Sequence, residues 1–230
     1  MISTLLILSV LVGVGLGKFV GNSEKFAKRL LILSAGFLIA ICGNEVFPQV
    51  YEKHDSNIGI WIVVGVLLQM LLESLTKGFE HGHFHHHHEE NNILPFALML
   101  GMFVHAFIEG IPLADETDVA SPYLLGIVFH NLPISFVLGS FLLKDKPFQL
   151  SSWVIILFFT LASPLGMYFG QYFNPSWKPY ILAIVGGIFL HISSVIIFES
   201  SKNHKMDWEK IILVIAGVGM ALFGHLFHEH

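Results

Sequence analysis

His105 and Glu109 stand four residues apart in GMFVHAFIEGIPL, Gly101 to Leu113, a run that is otherwise apolar. In a helix this spacing puts both side chains on one face, one turn apart. Ionisable groups inside apolar spans are rare, and they face a bundle interior or a water-filled path. GIVFHNLPIS adds His130 and Asn131, about 100 degrees apart around a helix, with Ser135 one turn beyond Asn131. Two imidazoles and a carboxylate on consecutive helices suggest one shared cation. Imidazole nitrogen and carboxylate oxygen without thiolate suit zinc, iron or manganese better than copper(I) or calcium, and zinc is the first choice. The plainer alternative for each residue singly is an interhelical hydrogen bond, worth about 0.6 kcal/mol on average in membranes.

Other polar groups need a place as well. Asn44 and Glu45 lie near Pro48, where Glu45 could act as an outer carboxylate or as a wet interfacial group. Glu73 and Glu199 are expected at helix ends, and His191 is expected to bond a Ser or Thr of another helix. The stretch TKGFEHGHFHHHHEENN, residues 76–92, holds six histidines, His81, His83, His85, His86, His87 and His88, with three glutamates. Such a tract is a compositional metal-binding signal with no fixed geometry, its alternatives being a polar linker or a tag remnant.

These groups must be positioned by membrane helices. The chain has 230 residues, of which 54% are hydrophobic and 13% charged, against about 25% charged in soluble domains. Spans of roughly 20 apolar residues are expected near Ile2 to Gly17, Leu30 to Val50, Ile58 to Leu75, Ile93 to Ala114, Pro122 to Leu143, Leu150 to Phe173, Pro179 to Phe198 and Ile211 to Phe227. The expectation is an all-α polytopic membrane protein, one domain over residues 1–230 with eight transmembrane helices and both termini outside. The first span has no basic residues before it and no small-residue cleavage site after it, so it reads as a span and not a secretory signal.

Lys and Arg accumulate in cytoplasmic loops. With the amino terminus outside, ten of them fall inside (Lys18, Lys25, Lys28, Arg29, Lys77, Lys144, Lys146, Lys202, Lys205, Lys210) and two outside, Lys53 and Lys178. Cys42 is the one cysteine, so no disulfide forms within the chain. The net charge of -5 is spread over loops, and no nucleic-acid partner is expected.

Pro112, Pro133 and Pro164 lie within or near the ends of the fourth, fifth and sixth spans. An interior proline leaves the carbonyl four residues back without its donor. In hydrocarbon that carbonyl must be satisfied or line a cavity, and interrupted helices point to transporter ion sites. Gly186 with Gly187, and Gly217 with Gly219, are expected at close helix contacts.

These segments together resemble the ZIP (Zrt/Irt-like) divalent-metal transporters over nearly the whole length. HAFIEG at His105 to Gly110 is similar to the fourth-span H-N-x-P-E-G, and HNLP at His130 to Pro133 to the fifth-span H-[NE]-x-P. LASPLGMYFG is similar to the sixth-span E-P-L-G stretch, and LLQMLLESLTKGFEHGH to the third-span end that runs into a histidine-rich loop. Ala106, Ile134 and Ser163 stand where members have asparagine, a second glutamate and a glutamate before proline; Glu45 and Gln49 stand where many have histidine and glutamate. The resemblance carries only His105, Glu109, His130 and Asn131 over as metal ligands and leaves one site of reduced charge; Ser135, Ser163 and Glu45 are additional polar groups beside them.

What it implies is a homodimeric permease of a bacterial inner membrane that moves a divalent ion, zinc first and otherwise Fe2+, Mn2+ or Cd2+, into the cytoplasm. It also implies that spans one, four, five and six move as a unit against two, three, seven and eight. The competing readings are a metal-binding sensor or regulator that no longer transports, and an intramembrane metallohydrolase. The absence of an H-E-x-x-H helix argues against the latter, and no enzymatic activity is expected.

Overall fold

The computed structural model describes residues 1–20, 23–52, 56–76, 93–143, 150–199 and 207–228. Among them the chain is all-helical: α1 (Ile2–Val20), α2 (Glu24–Glu52), α3 (Gly59–Thr76), α4 (Ile93–Gly110), α5 (Pro122–Leu142), α6 (Leu150–Gly170), α7 (Lys178–Glu199) and α8 (Trp208–His228). It is a polytopic membrane protein. Five of these segments (α1, α2, α5, α6 and Pro175–Phe198, which includes most of α7) are long and apolar enough to cross a membrane, and Gly59–Leu75 in α3 is a shorter apolar helix.

Burial is distributed as a bilayer demands. Leu8, Leu11, Val63, Leu67, Leu71, Leu157, Phe169, Ile212 and Phe223 are exposed, while Ser34, Gln69, His105, Glu109, His130 and Asn131 are buried. Lipid solvates the former, whereas the latter find partners only inside the bundle.

The helices associate in four pairs, α1 with α5, α2 with α8, α3 with α7 and α4 with α6. Each pair is closed by glycines on both helices. A Cβ at Gly13 or Gly17 of α1 would fall 2.5 or 2.2 Å from the carbonyl oxygen of Leu132 or Phe136, and one at Gly139 of α5 2.4 Å from that of Val14. Gly36 and Gly217 meet the carbonyls of Val214 and Leu33 across α2 and α8, and Gly65 and Gly187 those of Ile184 and Ile62 across α3 and α7. Gly110 and Gly166 do the same between α4 and α6, against Ser163 and Phe107. Membrane helices lack a hydrophobic drive to associate, so backbone approach of this kind supplies the dispersion contact that joins them.

Of the four glycines expected at close contacts, Gly187 and Gly217 are backbone approaches and Gly186 meets the side chains of Val46 and Phe47, whereas Gly219 faces open space within 4 Å. The expectation for Gly219 is corrected: it lies two residues from Gly217, on the other side of the helix.

Two interruptions were only partly foreseen. The residues Cys42–Val46 of α2 form a π turn, in which the Phe47 N–H reaches back to the Cys42 carbonyl. Pro48 has no N–H to offer the carbonyl of Asn44, which favours a locally wider register. The fourth span does not continue as α-helix to Ala114. It gives way at Gly110 to a 3-10 turn, Ile111–Asp115, where Pro112 has no N–H to give the carbonyl of Ile108. Pro133 and Pro164 do lie inside α5 and α6.

Candidate metal site

The i, i+4 spacing on α4 holds His105 and Glu109 together as expected, with Nε2 of His105 3.0 Å from Oε1 of Glu109. From α5, Nε2 of His130 comes within 4.0 Å of the same oxygen. The ring centroids of His105 and His130 are 5.8 Å apart at 72°. Side-chain exposure is 1% for His105 and 0% for Glu109 and His130. One ligand atom from each of the three lies within 4.8 Å of the others. Zinc sits about 2.0–2.2 Å from nitrogen and oxygen ligands, which puts tetrahedral neighbours roughly 3.3 Å apart; separations of 3.0 and 4.0 Å bracket that edge.

Electrostatics sharpen the geometry. Both carboxylate oxygens of Glu109 are buried and accept no hydrogen bond among the described residues. A buried carboxylate without compensation is strongly disfavoured. Nδ1 of His105 is 3.1 Å from Oε1 of Gln69 on α3. A ring proton on Nδ1, donated to that oxygen, would leave the Nε2 lone pair aimed at the carboxylate.

The remaining expected residues fall in three places. Asn131 is buried beside His130. Ser135 donates to the carbonyls of Asn131 (2.5 Å) and Leu132 (3.0 Å) and faces Gly13 of α1, so its hydroxyl is engaged within its own helix. Ser163 is buried in α6, where its carbonyl packs on Gly110. Glu45 is hydrogen-bonded by Gln49 and lines a cavity of about 440 Å³ near the carboxyl ends of α2 and α4 and the start of α7. Asp115, Glu116 and Lys178 line it too, and Lys178 forms an ion pair with Asp115. The loop histidines His81, His83, His85, His86, His87 and His88 lie outside the described residues.

His191 is interhelical as expected, but its partner is Glu73 of α3, with Nε2 2.8 Å from Oε2, rather than a serine or threonine. Ser194, the nearby hydroxyl, is taken up by the Leu190 and His191 carbonyls of its own helix. Glu73 is thereby an interhelical partner and not simply a solvated helix end.

Three residues join the site that sequence reasoning missed: Gln69, Ser34 and Tyr123. A lone amide in the apolar run LLQMLLESL was a visible signal for Gln69. Ser34, whose Oγ is 3.4 Å from Nδ1 of His130, gave none, since serine in a helix ordinarily bonds its own backbone. Tyr123 lines the cavity and donates to the Glu109 carbonyl at 2.9 Å, a group that the end of α4 leaves without a helical donor. Tyr123→Phe should cost about 1–3 kcal/mol, the penalty of an unsatisfied buried acceptor. Thermal unfolding in detergent, compared with wild type, measures it.

A family model described as "ZIP Zinc transporter" matches residues 85–224, more than half of the chain and including all three residues of the trio. The chain belongs to the ZIP family. Among its relatives, this ZIP chain is 27% identical to Protein zntD of Dictyostelium discoideum over 168 residues, 64% of this chain and 25% of that protein. It is 26% identical over 177 residues to an uncharacterized protein of Methanocaldococcus jannaschii, covering 73% of this chain and 72% of the other. Over 72 residues it is 36% identical to Probable zinc transporter 12 of Arabidopsis thaliana, covering 30% of this chain and 20% of the plant protein. The chain thus spans about a quarter of the length of zntD and a fifth of that of the plant protein.

Proposed function

We propose that this ZIP chain carries a divalent metal ion, zinc first, across the membrane into the cytoplasm, with His105, Glu109 and His130 as ligands and Asn131 supplying a neutral oxygen. The observation that carries the reading is the buried Glu109 carboxylate, which accepts no hydrogen bond among the described residues and lies 3.0 and 4.0 Å from two imidazole nitrogens. Glu109 neutralises half of a 2+ charge, and the histidines give direction and selectivity. A site with one carboxylate binds more weakly than one with two, and transport requires binding weak enough to release. Iron(II), manganese(II) and cadmium(II) satisfy the same donor set. The relatives named as zinc transporters favour zinc. Inward direction, both termini outside, a homodimer and a bacterial inner membrane belong to this reading through the family resemblance and the loop charges, as does a receiving role for the histidine-rich loop.

Zinc or cadmium uptake into proteoliposomes is the test, with His105→Ala and His130→Ala compared with wild type. Uptake should fall at least tenfold in each, and undiminished flux in both would sink the assignment. A second reading keeps binding without flux, because Ile134 and Ser163 occupy positions where the family resemblance expects carboxylates. Tight metal binding by a wild-type protein that shows no uptake would establish it.

A further inference from the structure

Nδ1 of His105 lies 3.1 Å from Oε1 of Gln69, and both side chains are fully enclosed, at 1% and 0% exposure. Nδ1 of His130 lies 3.4 Å from Oγ of Ser34, which is buried as well. Each imidazole therefore has its Nε2 edge toward Glu109 and its Nδ1 edge on a neutral polar group from a helix that carries no ligand: Gln69 from α3 and Ser34 from α2.

We propose that Gln69, seconded by Ser34, is a positioning residue for the metal: it fixes the Nδ1–H tautomer of His105, so that the Nε2 lone pair is always presented to the ion. This rests on the metal-site reading above. An imidazole has two tautomers, and the one with hydrogen on Nε2 cannot bind through that atom. A carbonyl oxygen at Nδ1 selects the competent tautomer and holds the ring plane, which raises ligand basicity and removes a rotational cost at the moment of binding. Glutamine is suited to an interior that already contains Glu109, since it accepts the bond without adding a second buried charge.

The arrangement also ties affinity to helix register. α3 pairs with α7, α2 with α8, α1 with α5 and α4 with α6, so both Nδ1 bonds cross between the two halves that the resemblance expects to move against each other. A shift of one half by a few ångströms breaks them, and the ion then faces two histidines whose tautomers are no longer selected. Ordered this way, binding is strongest in the register seen and weakens with movement.

The experiment is cobalt(II) titration of the purified full chain, followed by its visible absorption, together with zinc uptake kinetics. Glu109→Gln defines the Glu109-dependent component and leaves other metal sites, including the histidine-rich loop, as background. Gln69→Leu should weaken that component about 10- to 100-fold, the usual effect of losing such a partner, and raise KM for uptake more than it lowers kcat. Gln69→Glu, which restores an acceptor, should return affinity to within a few-fold and change the cobalt absorption. Equal affinity and an identical spectrum for Gln69→Leu and wild type, with the component lost in Glu109→Gln, would overturn the positioning role alone. Coinciding titrations of Glu109→Gln and wild type, with no Glu109-dependent component, would overturn the metal site with it. Should Gln69→Leu not fold, Gln69→Met and Ser34→Ala replace it, and unchanged binding in both overturns the proposal equally.

Discussion

Glu109→Gln should abolish the high-affinity metal site while leaving the metal-free protein as stable as wild type or more so. On the proposed reading the carboxylate is placed for an ion and not for the fold, so the two effects have opposite signs. Both of its oxygens are buried without a hydrogen bond among the described residues, a state that burdens the metal-free bundle. With metal bound, removing the one anionic partner of a buried cation costs about 3–5 kcal/mol, or a loss of roughly 100- to 4,000-fold in affinity at about 1.4 kcal/mol per tenfold. Thermal unfolding with chelator and then with excess zinc would separate the two. Wild type should gain stability with zinc by mass action and the variant should not. A variant that is clearly less stable than wild type in chelator would mean that Glu109 serves the fold.

The second large effect is steric. Gly187→Leu should prevent accumulation of folded protein, and Gly187→Ala should already cost about 1–3 kcal/mol, the range for overpacking. A Cβ at Gly187 falls 2.0 Å from the Ile62 carbonyl oxygen and 2.9 Å from the Val66 nitrogen. Both are backbone atoms, so no side chain can move aside and α3 must part from α7. Gly219 is the control, because nothing lies within 4 Å of it. Gly219→Ala should be neutral or stabilise by up to about 1 kcal/mol through helix propensity. Expression yield and melting temperature in detergent would show the contrast, and equal behaviour of the two alanine variants would contradict the seam.

Local periodicity made much of this legible. Apolar run lengths placed eight helices, and four-residue spacing placed His105 over Glu109. The HNLP segment put His130 on the following helix, which the bundle brings to the same oxygen. What escaped depends on partners distant in sequence. His191 finds Glu73, 118 residues away, and Gln69 finds His105, 36 residues away; no spacing rule encodes either. The π turn at Cys42–Val46 escaped for a different reason: Pro48 announces a missing donor, but several local registers can absorb it. Gly219 misled because a G-x-G pair puts its two members about 200 degrees apart around a helix, so only one can face a given neighbour.

The glycine seams carry one more consequence. Exchange α1, α2 and α3 with α6, α7 and α8, and α4 with α5, and the four pairings map onto themselves: α1 with α5 becomes α6 with α4, and α2 with α8 becomes α7 with α3. The glycines follow. Gly13 and Gly17, one turn apart on α1, correspond to Gly166 and Gly170 on α6; Gly139 corresponds to Gly110, and the pair Gly36 and Gly217 to Gly187 and Gly65. Segments of three helices traverse the bilayer in opposite senses, so this is the pairing pattern of an inverted repeat, with the trio on the two helices that trade places. In such an architecture the two sides of the membrane can exchange roles by exchanging the conformations of the two halves.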